Sequence, residues 1–228
     1  MLVKKYNKVA TLAFRFGMLG IFGQLLGLVL SVMLFKQIGD DGFSFFNHTL
    51  SELGSYGQSH YAVFVNGGLF FGGLCVVLFC LLSLQLVQSR WHYLFFLSLG
   101  LCYLAFAASG LFPVNVYHLH IVAIKYFFIF ACSSLVFYGL FQLSATSFTF
   151  SIWHNALAFF AFIFLAGFLL LPSLGLGLTE GNEAFYNELL VGPGRPDLWW
   201  PAIIEWIGVA TFSLWSCSVI YKITSSDS

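Results

Sequence analysis

The stretch from Tyr61 to Leu86, YAVFVNGGLFFGGLCVVLFCLLSLQL, contains no Asp, Glu, Lys, Arg or His, and its reading decides the fold. At about 1.5 Å per residue in a helix, such a run crosses the roughly 30 Å of hydrocarbon in a bilayer. Its apolar residues are continuous, whereas barrel strands alternate, and lipid cannot satisfy a backbone that is not helical. A membrane-crossing helix is therefore expected here. Five comparable runs flank it, from Phe16 to Phe35, Tyr93 to Phe112, Ile121 to Leu143, Ala156 to Leu178 and Trp199 to Tyr221. The fold class is all-α: one polytopic bundle of six transmembrane helices occupying residues 1–228 as a single domain.

Composition allows little else. The chain is 60% apolar and 8% charged, with 29 Phe among 228 residues and a mean hydropathy of +0.91, too little polar surface to cover a water-soluble globule. Lys4, Lys5, Lys8, Arg15, Arg90 and Lys222 fall on the side of the N-terminus, against Lys36 and Arg195 on the other. Both termini are thus expected in the cytoplasm, in keeping with six crossings. The first run has a basic flank like that of a signal peptide, but it is too long and lacks a small-residue cleavage site, so it reads as a retained anchor. Integral location in a prokaryotic inner (plasma) membrane is expected.

Several functions are disfavoured. The five cysteines lie inside apolar runs, as small hydrophobes and not as a disulfide framework or a metal-ligand spacing. Zero net charge offers no footprint for nucleic acid, and no phosphate-binding glycine motif is present. Membrane lipids are the expected partners, with self-association or a partner membrane subunit as further possibilities.

The acids are unevenly placed. Eight of the nine Asp and Glu (Asp40, Asp41, Glu52, Glu180, Glu183, Glu188, Asp197 and Glu205) lie in or beside three segments expected outside the cell. The last loop opens with a helix-compatible stretch from Glu180 to Leu190 and then breaks at Gly192, Pro193, Gly194 and Pro196, and Pro172 is placed to kink the fifth span. In the first loop, Asn47-His48-Thr49-Leu50-Ser51-Glu52-Leu53-Gly54 admits two readings. Thr49 and Glu52 form a capping box that opens a short helix ended by Gly54. If that helix reaches back to His48, His48 and Glu52 share one face, a spacing suited to an oriented histidine or a ligand pair.

The second outer element, Gly110-Leu111-Phe112-Pro113-Val114-Asn115-Val116-Tyr117-His118-Leu119-His120, joins spans three and four. Pro113 ends one helix and Asn115 can cap the next. His118 and His120 are either interfacial residues with one wet edge or candidates for a site. Two apart, they cannot share a helix face, and His118 is the preferred one because Lys125 follows two turns down its stripe. The third element is Glu205, roughly 6 to 9 Å inside the sixth span, with Lys125 and Asn66 at similar depth. Charges in lipid cost about 2.5 to 3.5 kcal/mol each on insertion scales, so Glu205 is expected to contact Lys125 or a histidine, either as a helix-register pair or as part of a site.

The run HTLSELGSYGQSHYAVFVNGGLFFGG resembles a signature in which Ser, an acid, Leu and Gly precede F-N-x-G and a glycine-rich span. GLFPVNVYHLH is similar to a second signature, G-x-F-P followed by Asp or Asn and a histidine. With Glu205-Trp206, these resemble the DUF 998 family of bacterial and archaeal membrane proteins, whose layout is distantly similar to the Frag1, DRAM and Sfk1 group. The resemblance implies a six-helix bundle with marked positions at Ser51, Glu52, Leu53, Gly54, Asn66, Pro113, Asn115 and His118, Glu52 standing where many relatives carry Asp. It implies no established reaction.

Two functional expectations follow. One is a polar site at the extracytoplasmic face that binds or organises a lipid or small amphiphile, with Asn47, Asn66, Asn115, His120 and Lys125 as binding residues. The other is a lipid-modifying hydrolase or acyl transferase in which His48 or His118 is the base, Glu52 and Glu205 are orienting or acid-base groups, and Ser51 is a nucleophile or donor. No cofactor is expected. A zinc ion would need His48, His60, His118 and His120 to converge from separate loops.

Overall fold

The computed structural model describes residues 2–35, 42–57, 59–86, 89–144, 151–170 and 197–225. Asp40, Asp41, Glu180, Glu183, Glu188, Lys36, Arg195, the stretch from Glu180 to Leu190 and the kink expected at Pro172 lie outside the described residues. Among those described there are seven helices and no strand: α1 Leu2–Met33, α2 Leu50–Leu53, α3 Ala62–Ser83, α4 Arg90–Leu111, α5 Tyr117–Ser144, α6 Ile152–Leu170 and α7 Trp200–Ser225. All but the four-residue α2 are long and apolar enough to cross a membrane. The chain is an integral membrane protein.

The ends of the helices depart from the apolar runs for local reasons. Helix α1 starts well before Phe16 because Lys is a good helix former, so the basic flank continues the helix out of the apolar stretch. Ser89 caps α4, its hydroxyl accepting from the His92 backbone N–H at 3.3 Å. That sets the start at Arg90.

Consecutive long helices pack side by side, α1 on α3, α3 on α4, α4 on α5, α5 on α6 and α6 on α7, and α7 returns to α1 to close the ring. The α1–α3 seam is glycine-built. A Cβ on Gly20 would lie 2.6 Å from the Gly72 carbonyl oxygen, and one on Gly68 would lie 2.9 Å from that of Gly23. Close backbone approach of this kind drives helix association in lipid, where apolar contact alone gives no advantage over the tails. Gly73 serves the opposite seam, where a Cβ would stand 2.9 Å from the Tyr103 carbonyl oxygen of α4, while a Cβ on Gly67 would meet nothing within 4 Å.

Aromatic rings fill the centre. Phe79, Phe95, Phe96, Phe127, Phe128, Phe168, Phe212 and Trp215 are fully buried. Phe128 and Phe168 stack with centroids 4.3 Å apart, tying α5 to α6. Leu19, Phe22, Phe71, Phe159 and Leu214 point outward and exposed, a surface suited to acyl chains.

Candidate functional site

The short helix α2 lies buried at the bundle end where α3, α5 and α7 begin and α4 finishes. Its start is the capping box read from Thr49 and Glu52. The Thr49 backbone N–H donates to Glu52 Oε2 at 2.6 Å, and the Glu52 N–H donates to Thr49 Oγ1 at 3.3 Å. Between them, the Leu50 N–H donates to Oε2 of Glu205 at 3.3 Å, across from α7. A carboxylate from a distant helix thus completes the amino end of a single turn, satisfying donors that would otherwise be costly away from water. Glu52 and Glu205 are each only 1% exposed. Both carboxylates are therefore sealed inside the bundle end.

Ser51, the next residue of α2, faces α5. Its hydroxyl is 2.9 Å from His120 Nε2, and His120 Nδ1 is 2.7 Å from the carbonyl oxygen of Phe112 at the end of α4. A carbonyl can only accept, so the network assigns the proton to Nδ1 and leaves the Nε2 lone pair toward the Ser51 hydroxyl. The arrangement has the form of a hydroxyl, a base and a group that orients the base.

Asn66, on α3, closes the far side of α2. Its Nδ2 donates to the Gly54 carbonyl oxygen at 2.9 Å. Gly54 does end α2, but with φ −84°, a right-handed conformation. Its glycine leaves room for the Asn66 amide: a Cβ there would stand 2.5 Å from Asn66 Oδ1. Gly110 meets the same residue from α4, where a Cβ would stand 2.5 Å from the Asn66 carbonyl oxygen. The glycines of the two sequence motifs converge on Asn66.

Other candidates fall elsewhere. Helix α2 starts at Leu50, so the helical face expected for His48 and Glu52 does not form. The His48 ring instead stacks on Phe43 at 5.4 Å and meets Phe35 edge-on at 5.5 Å, with Nδ1 accepting from the Ser44 N–H at 3.1 Å. The His48 carbonyl oxygen accepts from the Trp206 indole N–H at 2.7 Å, a tie that sequence reasoning missed although Trp206 follows Glu205. Asn47 lies in the turn formed by Ser44 to His48.

On α5 the inward stripe is His120, Ala123, Ile124, Phe127 and Phe128. His118 and Lys125 do share a stripe, as their spacing requires, but it is the exposed one. Lys125 therefore stands on the outer surface, while Glu205 is enclosed and bound to the Leu50 N–H. Of the two partners expected for Glu205, Lys125 or a histidine, Lys125 lies on the exposed stripe, and the backbone N–H of Leu50 is a partner that was not expected. Asn115 lies two residues before α5 and does not cap it; its Oδ1 accepts from the Tyr56 N–H at 3.0 Å, fastening the α2–α3 loop to the α4–α5 loop. Among the described residues, no three of the His, Cys, Asp and Glu side chains are grouped to hold a metal ion.

The chain matches the family described as "Protein of unknown function (DUF998)" over residues 25–220. It belongs to that family. The match spans the last part of α1 through nearly all of α7, so every element that builds the α2 site lies within the DUF998 region. Neither the curated proteins nor the solved structures contain a match to the chain. Within this DUF998 member, five of the marked motif positions, Ser51, Glu52, Leu53, Gly54 and Asn66, gather on or against α2, whereas His118 stands outside and His120 takes the inward position.

Proposed function

We propose that this membrane protein binds a membrane lipid or small amphiphile at the α2 end of the bundle, on the extracytoplasmic side of a prokaryotic inner membrane; the Lys and Arg distribution supports that side. The observation that carries the reading is the convergence of two distant helices on one four-residue helix: His120 of α5 meets Ser51, and Glu205 of α7 meets Leu50 beside the Glu52 cap. Buried carboxylates and imidazoles are costly in a bilayer-embedded bundle, and a group of them points to function more than to packing. Around the same end, Phe45, Phe46, Tyr56, Tyr61, Tyr117 and Trp200 are exposed. Aromatic residues favour the headgroup level, which supports a position for the polar cluster where lipid heads meet acyl chains.

The binding residues are Ser51, Glu52, Asn66, His120 and Glu205. His118 and Lys125 stand on the exposed stripe of α5, and Asn115 borders the cluster through Tyr56.

The test is native mass spectrometry of the purified protein after exposure to a bacterial lipid extract, with Glu52→Gln beside the parent. Gln preserves the reciprocal cap while removing the charge. The reading expects the parent to retain a defined lipid class that the variant loses or binds more weakly. The same bound species at the same occupancy in both would overturn it.

A further inference from the structure

We infer that Ser51 is the nucleophile, and His120 its base, of an acyl-transfer site whose substrate is a lipid ester; the inference rests on the lipid-binding reading above. The contacts of His120 with Phe112 and with Ser51 do different work. The bond from Nδ1 to the Phe112 carbonyl oxygen at 2.7 Å fixes the ring and its tautomer, and the 2.9 Å contact directs the remaining lone pair at the Ser51 hydroxyl. A simple tether between α2 and α5 would need one hydrogen bond of any polarity. Here the serine faces the nitrogen able to take its proton, and a third group holds the base in that orientation. The orienting group is a backbone carbonyl in place of a carboxylate. Glu52 and Glu205 hold the backbone of α2 at Thr49 and Leu50, which fixes where Ser51 stands; they are positioning residues.

Ser51 and His120 are each 4% exposed, so substrate needs an entrance. The loops beside them meet at an exposed hydrogen bond, from the Tyr56 N–H to Asn115 Oδ1 at 3.0 Å. Val116, Tyr117 and Leu119 beside it are exposed and apolar, a surface along which an acyl chain can approach.

The reaction balances with water as the only co-reactant. Ser51 Oγ attacks the ester carbonyl carbon while its proton passes to His120 Nε2. The tetrahedral adduct collapses, the bond to the alcohol oxygen breaks, and the alcohol leaves with the proton held by His120. Water then attacks the acyl-serine, giving one proton to Nε2, and the acyl–oxygen bond breaks to release a fatty acid as that proton returns to Ser51.

The experiment treats the full chain in nanodiscs with an alkyl fluorophosphonate, and peptide mapping locates any adduct. Labelling is expected at Ser51, lost in Ser51→Ala and slowed roughly a hundredfold in His120→Asn, the scale of a missing general base. Asn115→Ala, which touches neither group, is expected to speed labelling several-fold by loosening the seam. Failure of Ser51 to label in a protein that retains its lipid would overturn this inference and leave lipid binding standing. Equal labelling rates with and without His120 would also overturn it. Loss of lipid retention as a criterion, with the same species bound by Glu52→Gln, would instead remove the binding reading.

Discussion

Ser51 donates its hydroxyl to Nε2 of His120 across 2.9 Å, joining residues 69 positions apart in the sequence. With the Leu50 N–H to Glu205 contact on the other flank, this bond fastens α2 between α5 and α7. The Leu50 N–H and the Ser51 hydroxyl of α2 thereby meet protein partners and not bulk water. That arrangement has separable consequences.

Thr49→Ala removes the hydroxyl that accepts from the Glu52 N–H and should lower stability by about 1 kcal/mol, as the loss of a helix cap does. Glu52→Gln keeps an oxygen for the Thr49 N–H and should cost less. Unfolding by SDS titration, followed by circular dichroism, ranks the two; a larger loss in Glu52→Gln would mean that the charge itself is a folding requirement.

Gly68→Leu should destabilise strongly. Its Cβ would stand 2.9 Å from the Gly23 carbonyl oxygen and 3.1 Å from Gly27 Cα, backbone atoms that cannot swing aside. Overpacking of this kind costs about 1 to 3 kcal/mol. Gly67→Leu, one residue earlier with nothing within 4 Å of its Cβ, is the control and should fold at near-parent yield. Thermal unfolding in detergent distinguishes them, and similar losses at both positions would place the seam elsewhere.

His118→Gln and Lys125→Gln change exposed side chains and should each shift stability by less than about 0.5 kcal/mol. His120→Leu leaves the Ser51 hydroxyl and the Phe112 carbonyl oxygen without their partner and should cost about 1 to 3 kcal/mol. Lipid retention should fall only in the last. A loss caused by His118→Gln instead would restore that residue to the site.

Trp206→Phe keeps a ring against Phe43 and Phe45 but deletes the indole N–H that reaches the His48 carbonyl oxygen. A drop of about 1 kcal/mol is expected from the lost hydrogen bond. Hydrogen exchange should quicken in the segment from Phe43 to Thr49, and unchanged exchange there would show that the tie is not what holds it.

Much of this architecture was legible in the residues. Continuous apolar runs located all six membrane helices, because in lipid the length of a run sets the helix. The Thr49 and Glu52 pair located α2, because capping depends only on local geometry. What the sequence withheld was rotation. Helix α5 is apolar on every side, since its outward face meets acyl chains and its inward face meets Phe127, so its periodicity does not tell which stripe turns inward. His118 and His120 consequently exchanged roles, and Lys125 came to lie outside although its depth matched that of Glu205. His48 was misplaced for a different reason: the capping box begins the helix after it, and the neighbouring aromatic rings of Phe35 and Phe43 draw its imidazole away from the helical face.

The central claim is that Ser51 and His120 are directly coupled at the bundle end. A double-mutant cycle with Ser51→Ala, His120→Leu and the combined variant, read by SDS-titration unfolding, measures that coupling. The account predicts an interaction energy of about 0.5 to 3 kcal/mol, with the second substitution costing little once the first is made. Strictly additive losses would contradict it.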